Sequence, residues 1–160
     1  MQLPVHLVLD NIRSLYNVGS IFRTADGMAV EHVLLAGYTP RPPRKEIEKT
    51  ALGATKTVPW SHTSDPEKTL LELKKKGYNI CCLEQTDRSI PFTTVKPQQF
   101  PLCLIVGNEV SGVSPRLLSL CDLALEIPMF GSKHSFNVAV ACGIALFQLS
   151  LIYRTSRIRT

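Results

Sequence analysis

The sequence predicts an α/β fold, a single domain built around a parallel sheet. Two observations predict it. Short apolar runs alternate with stretches of helical periodicity along the chain, the pattern of successive βα units. The 160 residues, 44% apolar and 19% charged, also suit one compact domain with a core of its own.

The elements follow in order. A first strand is expected over residues 5–9. A helix comes next over Leu15–Met28, with Val18, Ile21, Phe22, Ala25 and Met28 on one face. A second strand occupies residues 32–36 and closes at Gly37. Residues 38–49 combine Pro40, Pro42 and Pro43 with Arg41, Arg44, Lys45 and Lys49, and read as an exposed loop. The following helix is punctuated at both ends. Asp65 can cap it, Pro66 suits its first position, Lys74, Lys75 and Lys76 complement its last turn, and Gly77 stops it. Further strands are expected over Asn79–Leu83, 102–106 and 123–127, with a short helix opening at Ser114-Pro115. The last helix, residues 136–154, is apolar nearly all round. One domain can bury such a helix only in part, so its outer face predicts a homodimer interface. Asn137, Gly143, Gln148 and Ser150 argue against its crossing a membrane.

Composition narrows the partners. Lys plus Arg total 18 against 13 acidic residues, a net charge of +5 that suits a polyanion. Cys81, Cys82, Cys103, Cys121 and Cys142 form no CxxC pair and sit mostly in apolar runs. Buried thiols of a reduced, cytoplasmic protein are expected, rather than disulfides or a metal site. Pro4 and Asp10 interrupt any apolar core of a signal peptide. No Walker motif is present, no GxGxxG follows the first strand, and neither a Ser-His-Asp nor an HExxH arrangement is apparent.

In open α/β sheets, ligands bind at the carboxyl ends of the strands. Three such ends are notable: 17–25 (NVGSIFRTA), 107–112 (GNEVSG) and 127–138 (IPMFGSKHSFNV). Singly, each has a plain explanation: Arg23 as a solvated charge, Gly107-Asn108-Glu109 as a turn, Ser135 as a helix cap. Together and in this order, N-x-G-x-x-x-R-T-A, G-N-E-x-x-G and I-P-M-x-G-x-x-x-S-x-N-V resemble the SpoU (TrmH-type) family of SPOUT methyltransferases, from Val5 to about Ile152. The combination is highly specific. Three positions depart from the family's pattern: Phe136 stands where leucine is usual, Ala139 where serine is usual, and residues 26–29 replace an aromatic-glycine ending.

The resemblance implies a parallel-sheet fold whose C-terminal part, about 79–154, is tied in a deep trefoil knot. It implies a homodimer in which residues 1–160 form a catalytic domain without a separate RNA-binding domain. It implies transfer of a methyl group from S-adenosylmethionine to a ribose 2′-hydroxyl of tRNA or rRNA, with tRNA slightly preferred. Two rivals stand beside that reading: a non-catalytic RNA-binding protein of the same fold, and a different α/β enzyme acting on a small anion. By motif, the cofactor cradle would comprise Gly107, Ile127, Met129 and Phe136, with Glu84 and Gln85 from another strand end. The catalytic group would comprise Asn17, Arg23, Glu109, Ser135 and Asn137.

Arg23 matches the arginine that activates the hydroxyl. A guanidinium has no acceptor, and deprotonating it near neutral pH costs about 7 kcal/mol over roughly five units. Arg23 therefore suits holding a phosphate and stabilising an oxyanion. The proton acceptor is left open between Arg23 and Glu109. Arg13, Arg41, Arg44, Lys45, Lys133 and His134 are candidates for gripping RNA, and Arg154, Arg157 and Arg159 for further phosphate contacts.

Overall fold

The computed structural model describes residues 1–158. A 7-stranded sheet forms its centre, in the order β3-β2-β1-β6-β4-β7-β5, with every pairing parallel. The strands are β1 (Leu3–Asp10), β2 (Val30–Ala36), β3 (Trp60–Thr63), β4 (Asn79–Leu83), β5 (Ile90–Pro91), β6 (Leu102–Gly107) and β7 (Leu123–Glu126). The helices are α1 (Leu15–Met28), α2 (Lys45–Ala51), α3 (Ala54–Thr57), α4 (Pro66–Lys75), α5 (Pro115–Leu118) and α6 (Val138–Ile158). Short 3₁₀ turns at Phe92–Thr94 and Pro97–Gln99 lead into β6.

Both faces of the sheet are covered, as a parallel sheet requires. Alternate β1 residues Leu3, Val5, Leu7 and Leu9 face a core shared with Ile21 and Phe22 of α1 and with Cys142, Leu146 and Leu149 of α6. Val8 joins Ile80, Cys82 and Ile105 on the other face, under Leu70 and Leu73 of α4 and Leu117 of α5. All of β6 is buried, which explains its unbroken apolar run. The five thiols are free.

The predicted helix over residues 66–76 forms as expected. Asp65 Oδ1 accepts from Lys68 N–H at 3.2 Å, and Gly77 turns away with φ of +91°. The segment read as a loop is a loop only to Arg44; α2 begins at Lys45 and buries Ile47 and Ala51 against α1. Gly19 makes that approach possible, because a Cβ there would collide with the Ile47 carbonyl and the Thr50 hydroxyl. The glycine of the first motif thus serves helix packing.

The strand order reverses between β1 and β6. From β1 the chain moves outward through β2 to β3, while β6, β4 and β7 lie on the other side. Loops leaving the carboxyl ends of β1 and β6 diverge at such a point and leave room for a ligand. One end of α6 lies beside this region and the other is tied down at a distance. Arg154 donates to Ser150 Oγ at 2.8 Å, to the Met1 carbonyl at 2.8 Å and to the Met28 carbonyl at 3.1 Å. Three internal bonds occupy this guanidinium, so the expected phosphate contact is corrected: Arg154 is a structural clip. Arg157 lies 5.2 Å from the centre of the Tyr153 ring, and Arg159 lies outside the described residues.

Among the described helices, α6 alone is long and apolar enough to cross a membrane. Its inner face, Cys142, Ala145, Leu146 and Leu149, is instead spent on the core. Val140, Phe147, Leu151 and Ile158 remain exposed along the opposite side.

Candidate active site

A cleft opens at the carboxyl ends of β4, β6 and β7. Its floor is apolar, made by Leu83, Val106, Leu125, Ile127, Met129, Phe136, Val138 and Ala141. Glu84, Gln85, Glu126, His134 and Ser135 bring polar groups, and Gly107 and Gly112 bring bare backbone. The cleft therefore gathers every residue expected in the cradle: Glu84, Gln85, Gly107, Ile127, Met129 and Phe136. Its volume is about 150 Å³. Pockets for small ligands run from roughly 300 Å³ upward. A nucleoside-sized molecule would consequently be seated with one side open to a second reactant.

The wall between β4 and β6 is fixed by Glu84. Its Oε2 accepts from Val113 N–H at 2.8 Å, and a Cβ on Gly112, whose φ is +73°, would strike the same carboxylate. The 108–112 turn is closed by paired backbone bonds, Asn108 N–H to the Gly112 carbonyl at 3.0 Å and Gly112 N–H to the Asn108 carbonyl at 2.9 Å.

Beside the cleft, three of the expected catalytic residues form one hydrogen-bonded chain. Glu109 accepts from Arg13 N–H and Ser14 N–H, both at 3.0 Å, and from Asn17 Nδ2 at 3.1 Å. Asn17 Oδ1 in turn accepts from Asn137 Nδ2 at 3.3 Å. Asn137 Oδ1 accepts from Ala139 N–H at 2.9 Å and Val140 N–H at 3.3 Å, so Asn137 caps α6. Ser135 had been the candidate for that cap; it lines the cleft instead, two residues too early to reach the first turn.

Partial burial pushes the Glu109 carboxyl up, but its hydrogen bonds from Arg13, Ser14, its own N–H and Asn17 outweigh that effect. The net result lies below the usual glutamate value. A carboxylate so saturated with donors is a poor proton acceptor and a good anchor. Glu109 holds Asn17 and the start of α1.

Arg23 is exposed, about 9 Å further along α1 than Asn17 at 1.5 Å per residue. It makes no ion pair with another described residue. Within one chain it stands apart from the asparagine cluster. Arg13, Arg41, Arg44, Lys45, Lys133 and His134 are all exposed, and His134 also borders the cleft. Asn108 is the residue that motif reading passed over. It lies inside GNEVSG, yet its side chain bonds Asn11 and Tyr38, far away in sequence, so nothing local signals its role.

The fold and the site together define a parallel α/β protein with a ligand cleft at the carboxyl ends of β4, β6 and β7. The chain belongs to the SpoU rRNA Methylase family, whose model matches residues 4–147. It is 34% identical over 140 residues to a tRNA (guanosine(18)-2′-O)-methyltransferase of Aquifex aeolicus, covering 87% of this chain and 65% of that protein. It is 33% identical over 143 residues to the 23S rRNA (guanosine-2′-O-)-methyltransferase RlmB of Neisseria meningitidis serogroup B, covering 89% of this chain and 56% of that protein. The chain thus spans less than two thirds of either relative. A crystal structure of the A. aeolicus TrmH/SpoU tRNA modifying enzyme superposes with a TM-score of 0.88 at 29% identity, covering 98% of this chain and 79% of the other.

Proposed function

We propose that this protein transfers a methyl group from S-adenosylmethionine to a ribose 2′-hydroxyl of RNA. The observation that carries the proposal is the adjacency of an apolar, backbone-lined cleft to the Glu109–Asn17–Asn137 chain. The residues fit the cofactor. Ile127, Met129, Phe136 and Leu125 offer a slot for a flat base, and Glu84 and Glu126 offer acceptors for hydroxyls and negative charge opposite a sulfonium. When bound, S-adenosylmethionine supplies an electrophilic methyl group.

The chain's own residues supply the rest. Asn17 and Asn137 orient the ribose, because their positions are fixed by Glu109 and by the N-terminus of α6. Arg23 binds the adjacent phosphate and stabilises charge that develops on the ribose oxygen. Ser135, at the cleft edge, contacts whichever reactant spans the two sites. Alignment of donor, methyl carbon and acceptor supplies much of the rate, so rigid positioning is the main task. No metal is invoked.

We place Arg23 in the partner's site of a homodimer joined through the exposed side of α6 and the neighbouring end of α1. That arrangement accounts for its separation from Asn17 and for the apolar stripe Val140, Phe147, Leu151 and Ile158. The cleft walls at Glu84, Gly107 and Ile127 correspond to the region, about 79–154, that we assign to a trefoil knot. RNA is gripped by Arg13, Arg41, Arg44, Lys45, Lys133 and His134, and tRNA is the favoured class because a relative of this kind acts on guanosine 18 of tRNA. Residues 1–160 act as the catalytic domain, and free thiols suit a cytoplasmic setting.

The deciding experiment incubates the protein with tritiated S-adenosylmethionine and unmodified tRNA or rRNA, beside Arg23→Ala. Label should enter RNA, fall by at least about 100-fold in the variant, and vanish when the target carries 2′-deoxyribose. RNA binding without cofactor binding would favour a non-catalytic RNA-binding protein. Binding of neither would point to a different α/β enzyme.

A further inference from the structure

Tyr38 follows Gly37 at the carboxyl end of β2, and its side chain is 62% exposed. Exposed tyrosines usually sample several rotamers, but this one is held at both ends. Its N–H donates to Asn11 Oδ1 at 2.9 Å, and its hydroxyl accepts from Asn108 Nδ2 at 2.9 Å. Asn108 is itself fixed: it is 7% exposed, its Nδ2 also donates to the Asn11 carbonyl at 2.8 Å, and its Oδ1 accepts from Val110 and Ser111 N–H, both at 2.9 Å. The amide nitrogen carries two hydrogens: the Asn11 carbonyl takes one and the Tyr38 hydroxyl the other, a place that water could fill at so exposed a position. So exposed a ring adds little to the core. What the tether achieves is to present a rigid aromatic face to solvent.

We propose that Tyr38 is a stacking platform for an unpaired base of the RNA, beside the nucleotide that is modified. The proposal rests on the RNA-methyltransferase reading and deepens it. Aromatic faces bind bases of single strands with little regard to sequence, whereas bases inside a duplex have both faces covered. The surroundings suit a nucleic-acid strand. Arg41 and Arg44 lie in the same loop, and Arg13 follows close behind Asn11; all three are exposed. Arg13 and Arg41 form no ion pair with other described residues, while Arg44 approaches Glu46 at 4.0 Å. Because the ring's freedom is lost on folding, stacking incurs little further ordering cost.

Tyr38 is also mechanically joined to the reaction centre. Asn108 precedes Glu109, Glu109 accepts from Asn17, and Asn17 accepts from Asn137. A base resting on Tyr38 is therefore held at a set offset from the asparagines that orient the ribose. The RNA segment recognised must be single-stranded or readily opened at the target.

The test measures binding of a labelled single-stranded RNA of about 12 nucleotides, and of its duplex, to the native protein and to Tyr38→Leu, Tyr38→Phe and Tyr38→Trp. Tyr38→Leu should weaken single-strand binding by about tenfold or more, with S-adenosylmethionine affinity and melting temperature unchanged. Tyr38→Phe keeps the ring and should stay within about threefold of native. Fluorescence added by Tyr38→Trp should be quenched by the single strand and not by the duplex, the native protein with Trp60 giving the background. Native affinity in Tyr38→Leu with no quenching, while salt-dependent RNA binding persists, would overturn the platform and leave the methyltransferase reading standing. Equal losses in Tyr38→Leu and Tyr38→Phe would overturn it in favour of a purely structural tether. Absence of RNA binding by the native protein would overturn both.

Discussion

Glu109 lies on the surface, yet its oxygens are taken by the N–H groups of Arg13 and Ser14 and by Asn17. Its work is positional, so Glu109→Gln should leave S-adenosylmethionine binding intact while slowing single-turnover methyl transfer by about 10- to 100-fold. The same bonds give a sign for pH. A carboxyl lowered on folding contributes stability that is fully present above its usual value of 4.5 and is lost as pH falls through the folded value. Acid titration followed by NMR at Glu109 should show its midpoint below 4.5, and a midpoint above that value would restore it as a candidate base. At this scale the sequence was informative wherever a motif was continuous. Ile127, Met129 and Phe136 are neighbours in cleft and chain segment alike, and Gly107 joins them from the 107–112 motif. Tyr38 and Asn108 were silent, because their partnership joins β2 to β6 across a fold that no local pattern reports.

Most elements could be read from periodicity and punctuation, and those that could not have identifiable reasons. The prolines and cations of residues 38–44 masked α2, whose buried contribution is only Ile47 and Ala51. Strand β3 is an edge strand with no fully buried residue, and β5 is two residues long, so neither carries a strong apolar signal. Where α1 meets α2, Gly19→Ala should destabilise the protein by about 1–3 kcal/mol in urea denaturation, since neither the Ile47 carbonyl nor the α1 backbone can move freely. Strands β1 and β2 set His6 opposite His32, rings stacked at 5.2 Å. Burial lowers both imidazoles; Glu31 opposes this for each, while His32 and Lys76 add to it at His6. Folded values below 6.5 mean that stability holds above pH 6.5 and is lost as pH falls beneath it. The melting temperature should therefore drop between about pH 6.5 and 5, and His6→Gln should flatten that slope.

For the whole molecule, the exposed stripe on α6 is the decisive surface. Phe147 and Leu151 are 55% and 45% exposed in the single chain. In the proposed dimer, Phe147→Glu with Leu151→Glu should give a monomer by sedimentation and abolish methyl transfer, because each site would lose the partner's Arg23. The monomer should still bind S-adenosylmethionine, whose cleft is formed within one chain. An active monomer would sink the idea that Arg23 works across the interface.

The clip at Arg154 has a consequence for how the protein is made. It fastens Met1 and the end of α1 to a helix that is synthesised only after every strand of the described sheet. The same late helix carries Asn137 at its start, and Val138 and Ala141 complete the cleft. A nascent chain can pair β1, β2 and β3 early, since these are consecutive, but its cleft is incomplete until the start of α6 has been made. Prematurely ended products would thus lack a complete cleft, with Met1 unmoored and β1 bare where α6 should lie. Chaperones recognise such exposed apolar surface, and a complete cleft is confined to molecules that have been read through α6.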